Sequence, residues 1–154
     1  MEKCVLFVCT GNTCRSPLAE AYFNKCVRDL ALDGIVGRSA GLFAEPGAPA
    51  SGNSQMVAKE NGCSLDEFAA RCLNSQMVQD AALIVGMTDT HCRKIISVMP
   101  EYAGKVHRLL EFDRGGEVVD PYGGSLDDYR RCFENMRYAL ANLAENLKNG
   151  KLSI

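Results

Sequence analysis

Apolar positions along this chain alternate between two periods. The run Cys4-Val5-Leu6-Phe7-Val8 is short, uncharged and rich in β-branched and aromatic residues, which suits a buried strand. Leu18-Ala19-Glu20-Ala21-Tyr22-Phe23 then continues at helical spacing and predicts a helix over about 17–31. Pro17 fits its first turn, where a missing N–H costs nothing. A second strand is predicted at Ile35-Val36-Gly37-Arg38. A Gly/Pro/Ala-rich loop from Gly41 to Ala50 follows, then a helix through Gln55-Met56-Val57-Ala58. Asn74-Ser75-Gln76-Met77-Val78 reads as a short helix capped by Asn74. Ala81-Ala82-Leu83-Ile84-Val85-Gly86 is a third strand, and a helix near 88–99 stops at Pro100. Val106-His107-Arg108-Leu109-Leu110 is a fourth strand. The last helix runs from about Ser125 to Lys148, with Ser125 as cap and an acid, Asp128, three positions on. Its stripe of Phe133, Met136, Leu140 and Leu143 belongs to the core. Strands alternating with helices predict an α/β fold with a doubly wound parallel sheet, helices on both faces and one domain over 1–154. Ligands of such sheets bind beyond the strand C-termini.

The first strand runs directly into Cys9-Thr10-Gly11-Asn12-Thr13-Cys14-Arg15-Ser16-Pro17, so this loop lies between a strand's end and a helix's start. Backbone N–H groups and the helix dipole make such a junction an anion site. Gly11 and Asn12 tolerate left-handed backbone angles that turn successive N–H groups inward. The thiolate is cysteine's reactive form, and a helix N-terminus and an arginine both favour it. Arg15 offers a planar fork matching two phosphate oxygens, and Ser16 can donate to the Cys9 sulfur. Thr10, Gly11, Asn12, Thr13, Cys14, Arg15 and Ser16 are the expected phosphate-binding set, with Cys9 as a nucleophile toward phosphorus. Neither G-x-x-x-x-G-K-[ST] nor G-x-G-x-x-G occurs at a strand–helix junction, so nucleotide loops of those types are unsupported.

The nonapeptide resembles the signature of the low-molecular-weight protein tyrosine phosphatases. A second matching segment, Asp120-Pro121-Tyr122-Gly123-Gly124, lies far downstream, and Ser39-Ala40-Gly41 and Met87-Thr88 also look similar to family segments. The resemblance spans essentially the whole chain. It implies a four-stranded sheet in the order 2-1-3-4, a general acid at Asp120 and catalysis by Cys9, Arg15 and Asp120. By itself Asp120 in Asp-Pro-x-Gly reads as a turn residue. The two readings are compatible, because an acid on a turn can sit over the site. A carboxyl group facing an anionic phosphate holds its proton more firmly, and the leaving group departs easily only when protonated. The reaction would pass through a thiophosphate on Cys9 that water hydrolyses, without metal or cofactor. In the family the second loop cysteine, here Cys14, can form a reversible disulfide with the nucleophile.

Composition narrows the class. At 154 residues, 47% hydrophobic and net charge −2, the chain is globular and lacks a strong nucleic-acid signature. Nothing resembles a signal peptide or membrane span, so a cytoplasmic location without membrane contact is expected. The eight cysteines, Cys4, Cys9, Cys14, Cys26, Cys63, Cys72, Cys92 and Cys132, contain no C-x-x-C pair. His91 and His107 stand in no motif and read as satisfied surface or boundary side chains. The expected partners are phosphorylated proteins, with inorganic phosphate as product and inhibitor.

Substrate choice must come from the walls of the loop. Thr13, with Gly-Gly after the aromatic of the Asp-Pro segment, resembles the bacterial protein-arginine phosphatase branch, whereas typical tyrosine phosphatases of the family carry a larger aliphatic residue at this position. The chain departs from that branch in placing Tyr122 where Phe is expected. Thr13, Phe43 and Tyr122 are candidate walls, able to stack on an aryl ring or guanidinium or to offer a hydroxyl. Two rival functions share these residues. An arsenate reductase would need a thiol relay, for which Cys63, Cys72 and Cys92 are candidates. A phosphoprotein-binding module would need Arg15 and the loop but neither Cys9 nor Asp120.

Overall fold

A computed structural model describes residues 2–154. It contains strands β1 (Lys3–Cys9), β2 (Ile35–Gly41), β3 (Leu83–Gly86) and β4 (Val106–Arg108). The helices are α1 (Arg15–Asp29), α2 (Gly52–Glu60), α3 (Ser75–Asp80), α4 (Asp89–Val98) and α5 (Leu126–Lys148). The sheet is four-stranded, all parallel, in the order β2-β1-β3-β4. That is the expected α/β doubly wound topology, with β1 central.

Alternation along β1 sorts its side chains onto two cores. Val5, Phe7 and Cys9 pack in one cluster with Leu18 and Phe23 of α1, Val57 of α2 and Phe133, Met136, Leu140 and Leu143 of α5. Leu6 and Val8 pack on the other face with Val78 of α3 and Ile95 of α4. Helices therefore cover both faces. Phe7 and Phe23 meet edge to face at 5.3 Å between ring centroids, a geometry worth roughly 0.5–1.5 kcal/mol beyond area burial. Among the described residues no helix is long and apolar enough to cross a membrane.

Capping follows the sequence where it was legible. Asn74 caps α3 through Met77 N, and Ser125 and Asp128 form a reciprocal box at α5. One expectation is corrected. Leu109 and Leu110 do not extend β4 but sit, buried, in a 3-10 turn over Leu109–Phe112. The Glu111 carboxylate accepts from Arg108 N at 2.8 Å, which closes the turn and ends the strand after three residues. A further 3-10 turn, Pro100–Lys105, follows α4 where proline forbids continuation.

β1 and β2 pair from Lys3↔Ile35 to Cys9↔Gly41, so both strands end at the same level. Gly41 is required there by space. A Cβ on it would come within 2.5 Å of Thr10 O and 2.9 Å of Asn12 N. The end of β2 thus lies against the backbone of the loop that follows β1.

Candidate active site

The loop from Thr10 to Cys14 is held from outside by its carbonyls. Cys9 O accepts from Leu42 N at 2.9 Å, Thr10 O from Phe43 N at 2.9 Å and Thr13 O from Ser51 N at 3.0 Å. In a trans peptide the N–H points opposite to the C=O. The N–H groups of Thr10, Gly11 and Cys14 are therefore turned away from those neighbours, and none of the N–H groups from Thr10 to Cys14 has a backbone acceptor among the described residues. The next donors are those of the α1 N-terminus. Side-chain caps close α2, α3, α4 and α5, but Cys14 supplies none to α1. Of the two residues expected to take left-handed angles, only Asn12 does, at φ 55°, while Gly11 is not among the positive-φ residues.

Asn12 is fully buried and acts as the hub of the loop. Its Oδ1 accepts from Arg71 N at 2.9 Å, which fixes the amide orientation. Its Nδ2 donates to Ser16 Oγ at 2.7 Å and to Ser39 Oγ at 3.0 Å. With Ser16 Oγ already accepting, the Ser16 proton is left for the Cys9 sulfur, 2.9 Å away. Ser39 in turn donates to Glu20 Oε1 at 2.9 Å, and Arg71 pairs with the same oxygen at 3.5 Å. Burial pushes the Glu20 carboxyl up, opposed by its hydrogen bond from Ser39 and by Arg71.

Arg15 is 5% exposed. Its Nη1 donates to Val118 O at 3.0 Å and its Nη2 pairs with Asp120 Oδ2 at 3.5 Å. Its buried Nε has no partner among the described residues, a costly state for a guanidinium unless a ligand completes it. Val118 is fully buried and ties its own segment to the residue that follows β3 through Val118 N to Met87 O, 3.0 Å. Asp120 follows two residues later with a half-exposed side chain, its Oδ1 accepting from Tyr122 N at 3.1 Å. This is the predicted turn, and it hangs over the loop.

One cavity of about 220 Å³ collects Cys9, Thr10, Gly11, Thr13, Cys14, Arg15, Asp120 and Tyr122. Phe43 does not line it. Its side chain, 69% exposed, borders a separate groove of about 260 Å³ with Leu42, Leu73 and Val98, and Lys94 Nζ lies 4.9 Å over its ring. The thiols considered for a relay also lie elsewhere. Cys92 is a buried residue of α4 and donates to His107 O at 3.4 Å, Cys72 is exposed, and Cys63 lies beyond the end of α2. Burial pushes the Cys92 and Cys132 thiols up to about 11 and about 12, as suits packing groups.

Besides Arg71 and Glu20, sequence reasoning missed three contributors. Val118 and Tyr129 carry no motif. Tyr129 OH lies 3.3 Å from Cys14 Sγ, and burial first, then that contact, pushes its phenol up to about 12. His91 is 4% exposed rather than at a boundary, with Nε2 3.0 Å from Thr10 Oγ1. Burial, and next the Arg15 charge, push its imidazole down to about 4, so it is neutral at physiological pH. The signal was Thr88-x-x-His91, a capping box with histidine in the N3 place.

Fold and cavity together define an α/β protein with a cysteine-bearing anion loop at the C-terminal end of its central strand. The sequence matches the family profile of the low molecular weight phosphotyrosine protein phosphatases over residues 4–152. It is 37% identical over 149 residues to a protein-arginine-phosphatase of Bacillus subtilis, covering 96% of this chain and 98% of the relative. A low molecular weight protein tyrosine phosphatase from T. tengcongensis is 39% identical, with a TM-score of 0.89 over 95% of this chain and 100% of that one. The arginine phosphatase YwlE, solved as a cysteine-to-serine variant with a phosphorylated active-site serine, is 36% identical, with a TM-score of 0.89 over 94% and 95% of the two chains. The chain belongs to the low molecular weight phosphotyrosine protein phosphatase family and is a cysteine-dependent protein phosphatase.

Proposed function

We propose that this phosphatase uses Cys9 as nucleophile, Arg15 with the loop N–H groups as the phosphoryl cradle and Asp120 as general acid and base, all within one domain over 1–154. One observation carries the reading. The N–H groups of Thr10, Gly11, Thr13 and Cys14, without backbone acceptors among the described residues, and the unpartnered Arg15 Nε belong to residues around the cavity that also holds Cys9 and Asp120. The Cys9 sulfur attacks phosphorus, the bond to the leaving oxygen or nitrogen breaks, and that atom takes a proton from Asp120. Water then attacks the thiophosphate, Asp120 takes its proton, and inorganic phosphate leaves as the thiolate is restored. Arg15 and the loop N–H groups hold the equatorial oxygens in both steps. The phosphorylated serine reported in the related structure supports a covalent intermediate.

The substrates are phosphorylated proteins, and we assign phosphoarginine as the favoured group. Thr13 lines the cavity, and among the described residues its hydroxyl has one hydrogen-bond partner, Cys14 Sγ at 3.7 Å, so it is free to meet a polar leaving group. Tyr122, 78% exposed, also lines the cavity and can stack on a guanidinium or an aryl ring. Thr13→Ile is expected to lower kcat/KM for phosphoarginine by about tenfold or more while keeping or raising that for para-nitrophenyl phosphate. Steady-state rates on both substrates from one preparation test this, and equal effects would count against the assignment.

Cys14 gives the site a redox control in this reading, since its thiol and that of Cys9 face one cavity. Oxidation joins the two sulfurs, protecting Cys9 from further oxidation. After peroxide inactivation, dithiothreitol should restore the native enzyme but not Cys14→Ser. Equal recovery of both would remove the role. All eight thiols are free, which suits a cytoplasmic setting.

A further inference from the structure

We propose that the Thr10 hydroxyl, oriented by His91, is a side-chain hydrogen-bond donor to the phosphoryl group. This rests on the reading of the Cys9 loop as the phosphate cradle and adds a donor that the backbone does not supply.

The placement of the protons around His91 identifies the donor. Thr88 N lies 3.1 Å from His91 Nδ1, and a backbone N–H can only donate. Nδ1 is therefore the unprotonated nitrogen, and the ring proton of the neutral imidazole is on Nε2. Nε2 is 3.0 Å from Thr10 Oγ1, so it donates and Thr10 accepts. The hydroxyl's own proton must point elsewhere. No other side-chain or backbone partner of Thr10 Oγ1 is found among the described residues. Thr10 borders the cavity with Cys9, Arg15 and Asp120, where an anion is the fitting acceptor. His91 is held in turn: it is buried at the start of α4, its Nδ1 also lies 2.9 Å from Thr88 Oγ1, and Thr88 caps the helix. His91 is thus a positioning residue acting through Thr10.

The histidine's two nitrogens can be tested separately. Asparagine can replace Nδ1 as the acceptor at the helix start but cannot reach Thr10. Glutamine can place an N–H near the position of Nε2 but gives up the cap. Binding of inorganic phosphate by titration calorimetry is the first readout, because it does not depend on turnover, and kcat on para-nitrophenyl phosphate is the second. Thr10→Val and His91→Asn are each expected to weaken phosphate binding by about tenfold, the scale of one hydrogen bond to a charged group. The double variant should be no weaker than either single one. His91→Gln should bind phosphate within about threefold of the native protein, whatever it loses in thermal stability. Native-like binding by Thr10→Val would overturn the proposal, as would additive losses in the double variant or equal losses in His91→Asn and His91→Gln. If Thr10→Val is weakened as expected but native enzyme hydrolyses no phosphate ester, the phosphoryl-transfer reading fails and the anion donor stands.

Discussion

Cys9→Ser is expected to lower turnover of para-nitrophenyl phosphate by at least ~10⁴-fold while leaving phosphate binding largely intact. The cradle does not depend on sulfur: the loop N–H groups, Arg15 and Asn12 keep their positions when an oxygen replaces it. What changes is reactivity at both steps. A serine hydroxyl is a weaker nucleophile than a thiolate at neutral pH, and the 2.9 Å contact from Ser16 is too little to ionise it. The ester formed with serine is also harder to break than a thiophosphate, because an alkoxide leaves less readily than a thiolate. The variant should therefore collect phosphate on residue 9 under prolonged exposure to substrate. Initial rates and intact-protein mass spectrometry check both statements. A variant within tenfold of native activity would remove Cys9 from the mechanism.

Asp120→Asn should lower kcat by about 10²–10⁴-fold, the usual share of a positioned general acid and base. The loss should depend on the leaving group. A guanidine or unactivated alkoxide cannot depart without a proton, so phosphoarginine and alkyl phosphates should suffer most. An aryl phosphate with an acidic phenol needs little protonation and should suffer least in its first step. Asparagine preserves the turn, since its side-chain oxygen can still accept from Tyr122 N, now 3.1 Å from Asp120 Oδ1. The pair with Arg15 Nη2 is lost, but Val118 O still holds Nη1 at 3.0 Å. A loss that is uniform across leaving groups would instead mark Asp120 as a structural partner of Arg15.

Much of this architecture was legible because its determinants are local. The run Cys4–Val8 and the stripe of Phe133, Met136, Leu140 and Leu143 announced their elements by period alone, and all four stripe residues are buried. Asn74 and Ser125 announced helix starts through caps that complete within three residues. Leu109 and Leu110 misled for the same reason. They look like a strand by composition, but the side chain of Glu111 competes for Arg108 N and turns the chain. Phe43 was expected at the substrate wall. Its backbone does touch the loop, at Thr10 O, yet its ring faces a different groove, and no pattern in the sequence gives a side chain's direction out of a loop.

The sequence by itself determined the junction: a strand, a cysteine at its end, and a loop that leads through Arg15 and Ser16 into a helix. Chain connectivity forces those groups together, so their chemistry could be read without a fold. Tertiary structure decided what completes the loop. Val118 reaches Arg15 across 103 positions, His91 reaches Thr10 across 81, and Arg71 orients Asn12 across 59. Each is a single hydrogen bond between residues that share no periodicity or motif. They meet because β1, β3 and the loops beyond them end at one edge of the sheet, where unpaired polar groups must find partners or a ligand.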